Sequence, residues 1–450
     1  MMQLSSATPV ADPLAATAHD SLYRKITWRI IPFLFMGYVI AFLDRINIGF
    51  AQLQMKHDLG FSDAMYGLGA GIFYVGYVFF EVPSNMLLAR FGARFTFTRI
   101  MVMWGLTSAC MMFVSRPGEF YTLRFLLGVF EAGFLPGITV YISYWYPPRR
   151  RAGIMSIFFA GTLISGVIGG LFSGWIMRDM AGVAGLFGWQ WLFVIEAAPA
   201  ILLGVFAAFW LDDGPQRAKW LSDDEKRSVL TQLEVEENPM LARAKNALLD
   251  ALRTPRVYLF AFVYFSVACG GLLINFWMPL IIRDFGIQGI VSISLYTAIP
   301  NAIGAIGLLI IARRSDRRGE RRWHFAACTL GGGIALFLLT LHIPSFPIML
   351  IILSAAAVLI FAAVPIFWAV PFEHLSKRAV APGIALIGSL GITSGIVTPW
   401  AVGQIKTLTG SIDNALYILS ALLVVSALAF LAGVPRRAAR RHVIGTETLP

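Results

Sequence analysis

The chain has 450 residues, of which 58% are hydrophobic and only 14% charged, with a mean hydropathy of +0.72. A soluble chain of this length carries about 25% charged residues, so the composition excludes a soluble domain and reads as a polytopic membrane protein. The net charge of +11 raises nucleic acid as a partner, a reading that the placement of the charges goes on to remove.

Residues 1–27 are polar and small and lack the apolar core of a signal peptide, so they read as a cytoplasmic tail. Apolar runs of about 20 residues, each long enough to cross roughly 30 Å of hydrocarbon, then recur. They fall near 28–50, 64–88, 95–114, 119–146, 152–177 and 189–211, and again near 256–283, 290–312, 323–343, 346–373, 379–405 and 412–434. The predicted fold is all-α and integral to the membrane, twelve transmembrane helices in two six-helix bundles, 28–211 and 256–434. Between them 212–255 is the only long charged stretch and reads as a cytoplasmic linker with an amphipathic helix; 435–450 reads as a cytoplasmic tail. Cys110, Cys269 and Cys328 lie in apolar segments without metal-type spacing, so neither a disulfide framework nor a metal site is implied.

Lysine and arginine orient the spans. With both termini inside, only Lys56, Arg116, Arg178, Arg283 and Lys406 of the 36 basic residues fall outside, and Arg45 and Arg124 fall within the bilayer. Arg90, Arg94, Arg149–Arg151, Arg313, Arg314, Arg317, Arg318, Arg321, Arg322 and Arg436–Arg441 all fall on the cytoplasmic side. One missed span would invert half of that bias. The high pI is thus a topology signal in an inner or plasma membrane, and nucleic acid drops out.

The charges inside the spans are the chemical signal. Asp44 and Arg45 stand side by side in the first span, and Arg124 and Glu131 stand seven residues apart in the fourth, on one helix face about 10 Å apart. Each such charge costs roughly 2.5–3.5 kcal/mol at the bilayer centre, so it marks a functional site. Arginine is a fixed charge that grips carboxylate bidentately, whereas a buried carboxyl beside arginine can titrate near physiological pH. With both carboxyls protonated the cluster is net positive and draws in an anion. Loss of the protons returns internal partners to the arginines and expels it. The plainer reading is a permanent structural salt-bridge network, costly to bury.

The halves echo each other. Ala89–Arg94 closes the second span as Asp316–Arg321 closes the eighth, and Gly166-xxx-Gly170 is matched by Gly391-xxx-Gly395. Duplicated bundles point to alternating access around a site near the midplane. The second bundle has no acid or base near mid-span; Glu373 and His374 sit at an end. Its polar candidates are Asn275 and Asn301, with Trp277 and Trp368 as pocket walls, and ordinary helix packing explains all four equally well.

The run Ser315–Arg322 resembles the loop signature of the major facilitator superfamily, and the likeness extends over about 22–435. More narrowly, FLDRINIG, EVPSN (Glu81–Asn85), RFGAR, RFLLGVFEAGFLPG, YWYPPRRRA and WQWLFVIEAAPA resemble the anion:cation symporter family, whose members carry tartrate, phthalate, sugar acids, glutamate or sialic acid. The resemblance implies a proton-coupled importer of an organic anion, monomeric, using protons as coupling ion and no cofactor, and not an enzyme. It places proton coupling on Asp44 and Glu131 and anion binding on Arg45 and Arg124, with Tyr77 lining the cavity. Asn275, Asn301 and Trp368 are added as substrate contacts, and Asp316, Arg317 and Arg90 as a cytoplasmic gate. Glu81, i+4 from Tyr77, reads either as a third protonatable group or, near the inner end of its span, as a structural partner, and Glu196, at a family position, reads as structural. Three departures stand out: Ala89 replaces the acid of the amino-terminal loop, Gly388 and Ile392 stand where many members have asparagine, and Gly166–Gly170 lacks the antiporter proline. The last favours symport; exchange or efflux on the same fold is the alternative, and a uniporter lacks a use for Asp44 and Glu131.

Overall fold

The computed structural model describes residues 13–241, 247–376 and 380–435. Residues 1–12 of the expected 1–27 tail, part of the linker at 242–246 and nearly all of the 435–450 tail, including Arg436–Arg441, lie outside the described residues, whereas residues 13–27 are helical and continuous with the first span. Fifteen α-helices run in chain order: α1 Pro13–Asp58, α2 Asp63–Cys110, α3 Pro117–Glu131, α4 Phe134–Trp145, α5 Pro148–Asp179, α6 Gly188–Trp210, α7 Asp223–Leu241, α8 Ala247–Leu252, α9 Pro255–Asp284, α10 Ile290–Arg318, α11 Arg322–Leu339, α12 Phe346–His374, α13 Val380–Ile392, α14 Ser394–Thr409 and α15 Asp413–Gly433. Strands are absent among the described residues.

Ten of the described helical segments are long and apolar enough to cross a membrane. One of them holds two crossings. The 48 residues of α2 would measure about 72 Å if straight, more than twice the hydrocarbon thickness, and the helix breaks at Gly92, whose φ of 85° and ψ of 171° are not helical. With α5, whose 32 residues have a span's length, the spans number twelve. Their lipid-facing surface is apolar: Phe79, Phe209 and Leu408 are 71%, 78% and 81% exposed, which suits hydrocarbon and not water.

Sequence chemistry sets the helix ends that matter here. Ser62 caps α2 by accepting the Met65 N–H at 3.1 Å. In the fourth span α3 stops at Glu131, Ala132 turns extended, and Gly133 takes φ 84° before α4 begins. Pro136 then falls in the first turn of α4, where its missing N–H costs no helix bond. Glu131 is therefore the terminal residue of a helix rather than a mid-helix one. The eleventh span is also interrupted, between α13 and α14, six residues before Pro399, so the Gly391–Gly395 pair straddles a break.

Two compact units divide the chain: 1–243 with 287–298, and 244–286 with 299–450. In the first, α2 packs on α3 and α6, and α1 on α5 and α6. In the second, α11 packs on α12 and α15, and α9 on α13, α14 and α15.

The acid missing at Ala89 is replaced from elsewhere. Asp213, just after α6, accepts the Arg94 backbone N–H at 3.1 Å, while the Arg94 side chain reaches the Leu211 carbonyl at 2.9 Å and Asp212 at 3.6 Å. A Cβ at position 92 would stand 2.2 Å from the Asp213 carboxylate, so Gly92 is required both for its positive φ and for that approach.

Candidate functional site

Consecutive residues on a helix point about 100° apart, so Asp44 and Arg45 cannot serve one another. Arg45 turns to α3 and donates from Nε to Glu131 Oε1 at 2.7 Å, with Nη2 at 2.6 Å from the same oxygen. Its guanidinium lies 5.0 Å from the Phe42 and Tyr77 ring centroids and 5.5 Å from Phe73. Glu131 is fully buried and its Oε2 has no partner. The carboxylate thus spends one oxygen on arginine and keeps the other open to a proton.

Arg124, two turns before Glu131, is also wholly buried. Its Nε donates to the Gly69 carbonyl at 3.3 Å and its guanidinium sits 5.0 Å from the Phe73 ring, but Nη1 and Nη2 have no hydrogen-bond partner. Backbone contact between α2 and α3 creates this setting: a Cβ at Gly128 would stand 2.0 Å from the Phe73 carbonyl, and one at Gly76 2.4 Å from that of Phe125. Phe73 is held there between the two arginines. Sequence reading passed over Phe73, although Gly69 and Gly76, seven apart on one face, mark the close helix contact that presents it. Tyr77 is buried beside Arg45. Glu81, one turn on, is half-buried.

Asp44 faces the other way and meets only neutral donors. Trp104 Nε1 reaches Oδ2 at 2.7 Å; Ser108 Oγ reaches Oδ1 at 2.8 Å and Asn47 Nδ2 the same oxygen at 3.3 Å. The sequence pairs, Asp44 with Arg45 and Arg124 with Glu131, are therefore replaced by one ion pair across helices, one carboxyl on neutral partners and one arginine with free donors. Glu196 is buried nearby on α6, accepting from Ser173 Oγ at 2.9 Å.

The remaining candidates belong to the second unit. Asn301 is buried on α10 and Asn275 half-buried on α9. Trp368 is half-buried on α12, its ring 4.7 Å from that of Tyr264, and a Cβ at position 388 would stand 3.8 Å from it. Trp277 is fully buried, a core position. Of the gate residues, Asp316 takes Arg321 as partner at 3.5 Å, and the same Arg321 holds Glu373 at 2.6 Å; Arg317 is exposed. In the first unit Arg90 is exposed with its guanidinium 5.3 Å from the Phe91 ring.

A bundle of spanning helices with arginines and carboxyls buried in one half defines a membrane transporter, not an enzyme. The chain belongs to the Major Facilitator Superfamily, whose model matches residues 34–399. It is 43% identical over 431 residues to a Pseudomonas putida protein that carries the provisional name metabolite transport protein NicT, covering 94% of this chain and 98% of that one. An Agrobacterium vitis protein provisionally named a tartrate transporter is 45% identical, covering 90% and 93%, and a quinolone resistance transporter of Acinetobacter baumannii is 41% identical, covering 89% and 92%. The fold is similar to that of the Escherichia coli xylose transporter XylE in an inward open conformation, with a TM-score of 0.73 at 15% identity, covering 92% and 97%.

Proposed function

We propose that this transporter imports an organic anion bearing one or two carboxylates by proton symport, as a monomer of the anion:cation symporter type. The observation that carries the reading is Arg124, a fully buried guanidinium with two terminal nitrogens unpartnered. Leaving such donors unmet is costly, and a carboxylate matches both in the bidentate geometry arginine favours. Protonation of Glu131 releases Arg45, so both Arg45 and Arg124 are available to the anion. Deprotonation re-forms the Arg45–Glu131 pair and expels it. Asp44 is the second proton site, held on neutral donors. Asn275, Asn301 and Trp368 are the neutral substrate contacts in this reading, and Asp316, with Arg321, Arg317 and Arg90, belongs to the gate. The tartrate relative supports a carboxylate substrate, and the lysine and arginine bias supports an inner membrane with both termini cytoplasmic.

The test is uptake into proteoliposomes of labelled tartrate, phthalate and sugar acids, with neutral and cationic controls, under an inward proton gradient. Acid-stimulated uptake of one carboxylate that becomes independent of the gradient in E131Q or D44N supports the reading. Transport of cations alone overturns it. The quinolone resistance relative favours a second reading, proton-coupled efflux or exchange; counterflow that proceeds equally well without a pH gradient would select exchange.

A further inference from the structure

We infer that Asp44 and Glu196 form a single-proton pair joined by Asn47, in which Glu196 carries the proton while Asp44 holds its three donors. Asp44 and Asn47 are each 1% exposed and Glu196 8%. Asn47 donates to Asp44 from α1 and lies within hydrogen-bonding reach of Glu196 on α6. The amide is the common neighbour of two buried carboxyls.

Neither carboxyl hydrogen-bonds to a cation: the donors on Asp44 are Trp104, Ser108 and Asn47, and the donor on Glu196 is Ser173. Arg45 is committed to Glu131, and the Arg124 guanidinium touches the Gly69 carbonyl and the Phe73 ring. The charged groups facing Asp44 are Glu131 and Arg124; the one facing Glu196 is Asp44. From the other helices packed on α6, α2 offers Trp104 and Ser108 and α5 offers Ser173, all neutral. The next charges along α6 are two turns away, where Trp189 donates to Asp58 and Lys56 pairs with Asp63. Two like charges at adjacent buried sites cannot both ionise without a counter-charge. The pair therefore keeps one proton.

Donor counts say which group holds it. Asp44 receives Trp104, Ser108 and Asn47, whereas Glu196 receives Ser173 on Oε1 and leaves Oε2 buried with no partner. The Asn47 carbonyl oxygen is likewise buried without a donor. A half-turn of that amide exchanges donor and acceptor, so the proton can move from Glu196 to Asp44 and find its acceptor there. In that step the Glu196 O–H bond breaks, an Asp44 O–H bond forms, and the pair's net charge is unchanged. Glu196 touches no substrate in this scheme. It is a positioning residue that sets the pH at which Asp44 exchanges protons, and its place in transport rests on the symport reading.

The test needs no substrate: infrared titration of the protonated-carboxyl carbonyl band in purified detergent-solubilised protein. E196Q should lose a band present in the unsubstituted protein at pH 7. D44N should keep that band but shift its titration to lower pH by about one unit, a tenfold change in proton affinity, and N47L should remove the dependence on residue 44. In uptake assays E196Q should displace the pH profile with maximal rate kept within a few-fold, whereas a merely structural role would lower the amount of folded carrier and leave the profile in place. If E196Q keeps the band, or D44N leaves its titration unmoved, the pair is overturned. D44N and N47L retain Glu196, so the inference stays testable should E196Q fail to fold. Loss of symport with the band shifts intact would sink the transport reading alone.

Discussion

The two units bury polar groups in opposite ways. Among the described residues the first buries Asp44, Asp63, Arg124, Glu131 and Glu196, whereas the buried polar groups of the second are serines, threonines and Asn301, plus Lys406 at a helix end, paired with Asp284. A duplicated architecture has thus been loaded asymmetrically. Charge in a membrane is expensive wherever it sits, so concentrating it in one bundle confines the cost and lets those charges act on each other. Among the described residues the second bundle is left with neutral buried polar groups apart from Lys406.

Substitutions can break this contrast in order of expected effect. R124A removes the buried fixed charge and should lower carboxylate uptake about 100-fold or more, as a lost charge-assisted bidentate contact does; substrate-concentration curves in proteoliposomes would measure it. R124K keeps the charge without the planar fork and should recover only part of that loss. Truncating Glu131 to alanine leaves Arg45 buried and uncompensated, and thermal unfolding in detergent should register a loss of about 3–5 kcal/mol; E131Q, which keeps a hydrogen-bonding group, should unfold nearer to the unsubstituted protein while losing proton dependence.

Smaller effects belong to neutral and exposed positions. N301A should raise KM about 2- to 10-fold without altering proton coupling, the range of one lost hydrogen bond. An N301A carrier that lost coupling would show that the second unit shares the charge chemistry. At the surface, Lys25 holds Glu225 of α7 at 2.8 Å, and its hydrogen bond, helped by the Ser222 N–H and hydroxyl, holds the Glu225 carboxyl below the usual carboxylate range. That contribution is present at neutral pH and is lost as pH falls through the lowered value. K25A should therefore shift the melting temperature slightly at pH 7 and not at all in strong acid, since exposed pairs contribute under about 1 kcal/mol.

Much of this was legible in the chain itself. The helical spans followed from apolar runs because hydrocarbon thickness leaves few lengths open, but the break at Ala132 and Gly133 falls inside 119–146, a run that reads as one continuous span. The charge pairing was not legible. Adjacency suggested Asp44 with Arg45, yet helix geometry turns neighbours apart, and the real partner of Arg45 is 86 positions along the chain. Glu196 stands at a family position and reads as structural in the sequence; the pair inferred with Asp44 depends on the packing of α1 on α6, which sequence order does not show. Likewise the absence of an acid at Ala89 was visible, but not its replacement by Asp212 and Asp213, which lie over 100 residues away.

That replacement couples distant positions in descent as well as in space. A carrier that regained an acid at 89 would offer Arg94 a second claimant and would be released from keeping one at 213. Positions 89 and 213 should therefore vary together among relatives, as one heritable choice between two ways of fastening the same bend, while the positive φ at 92 keeps glycine there in either case. A89D should accordingly rescue D213A, and should do little when Asp213 is in place.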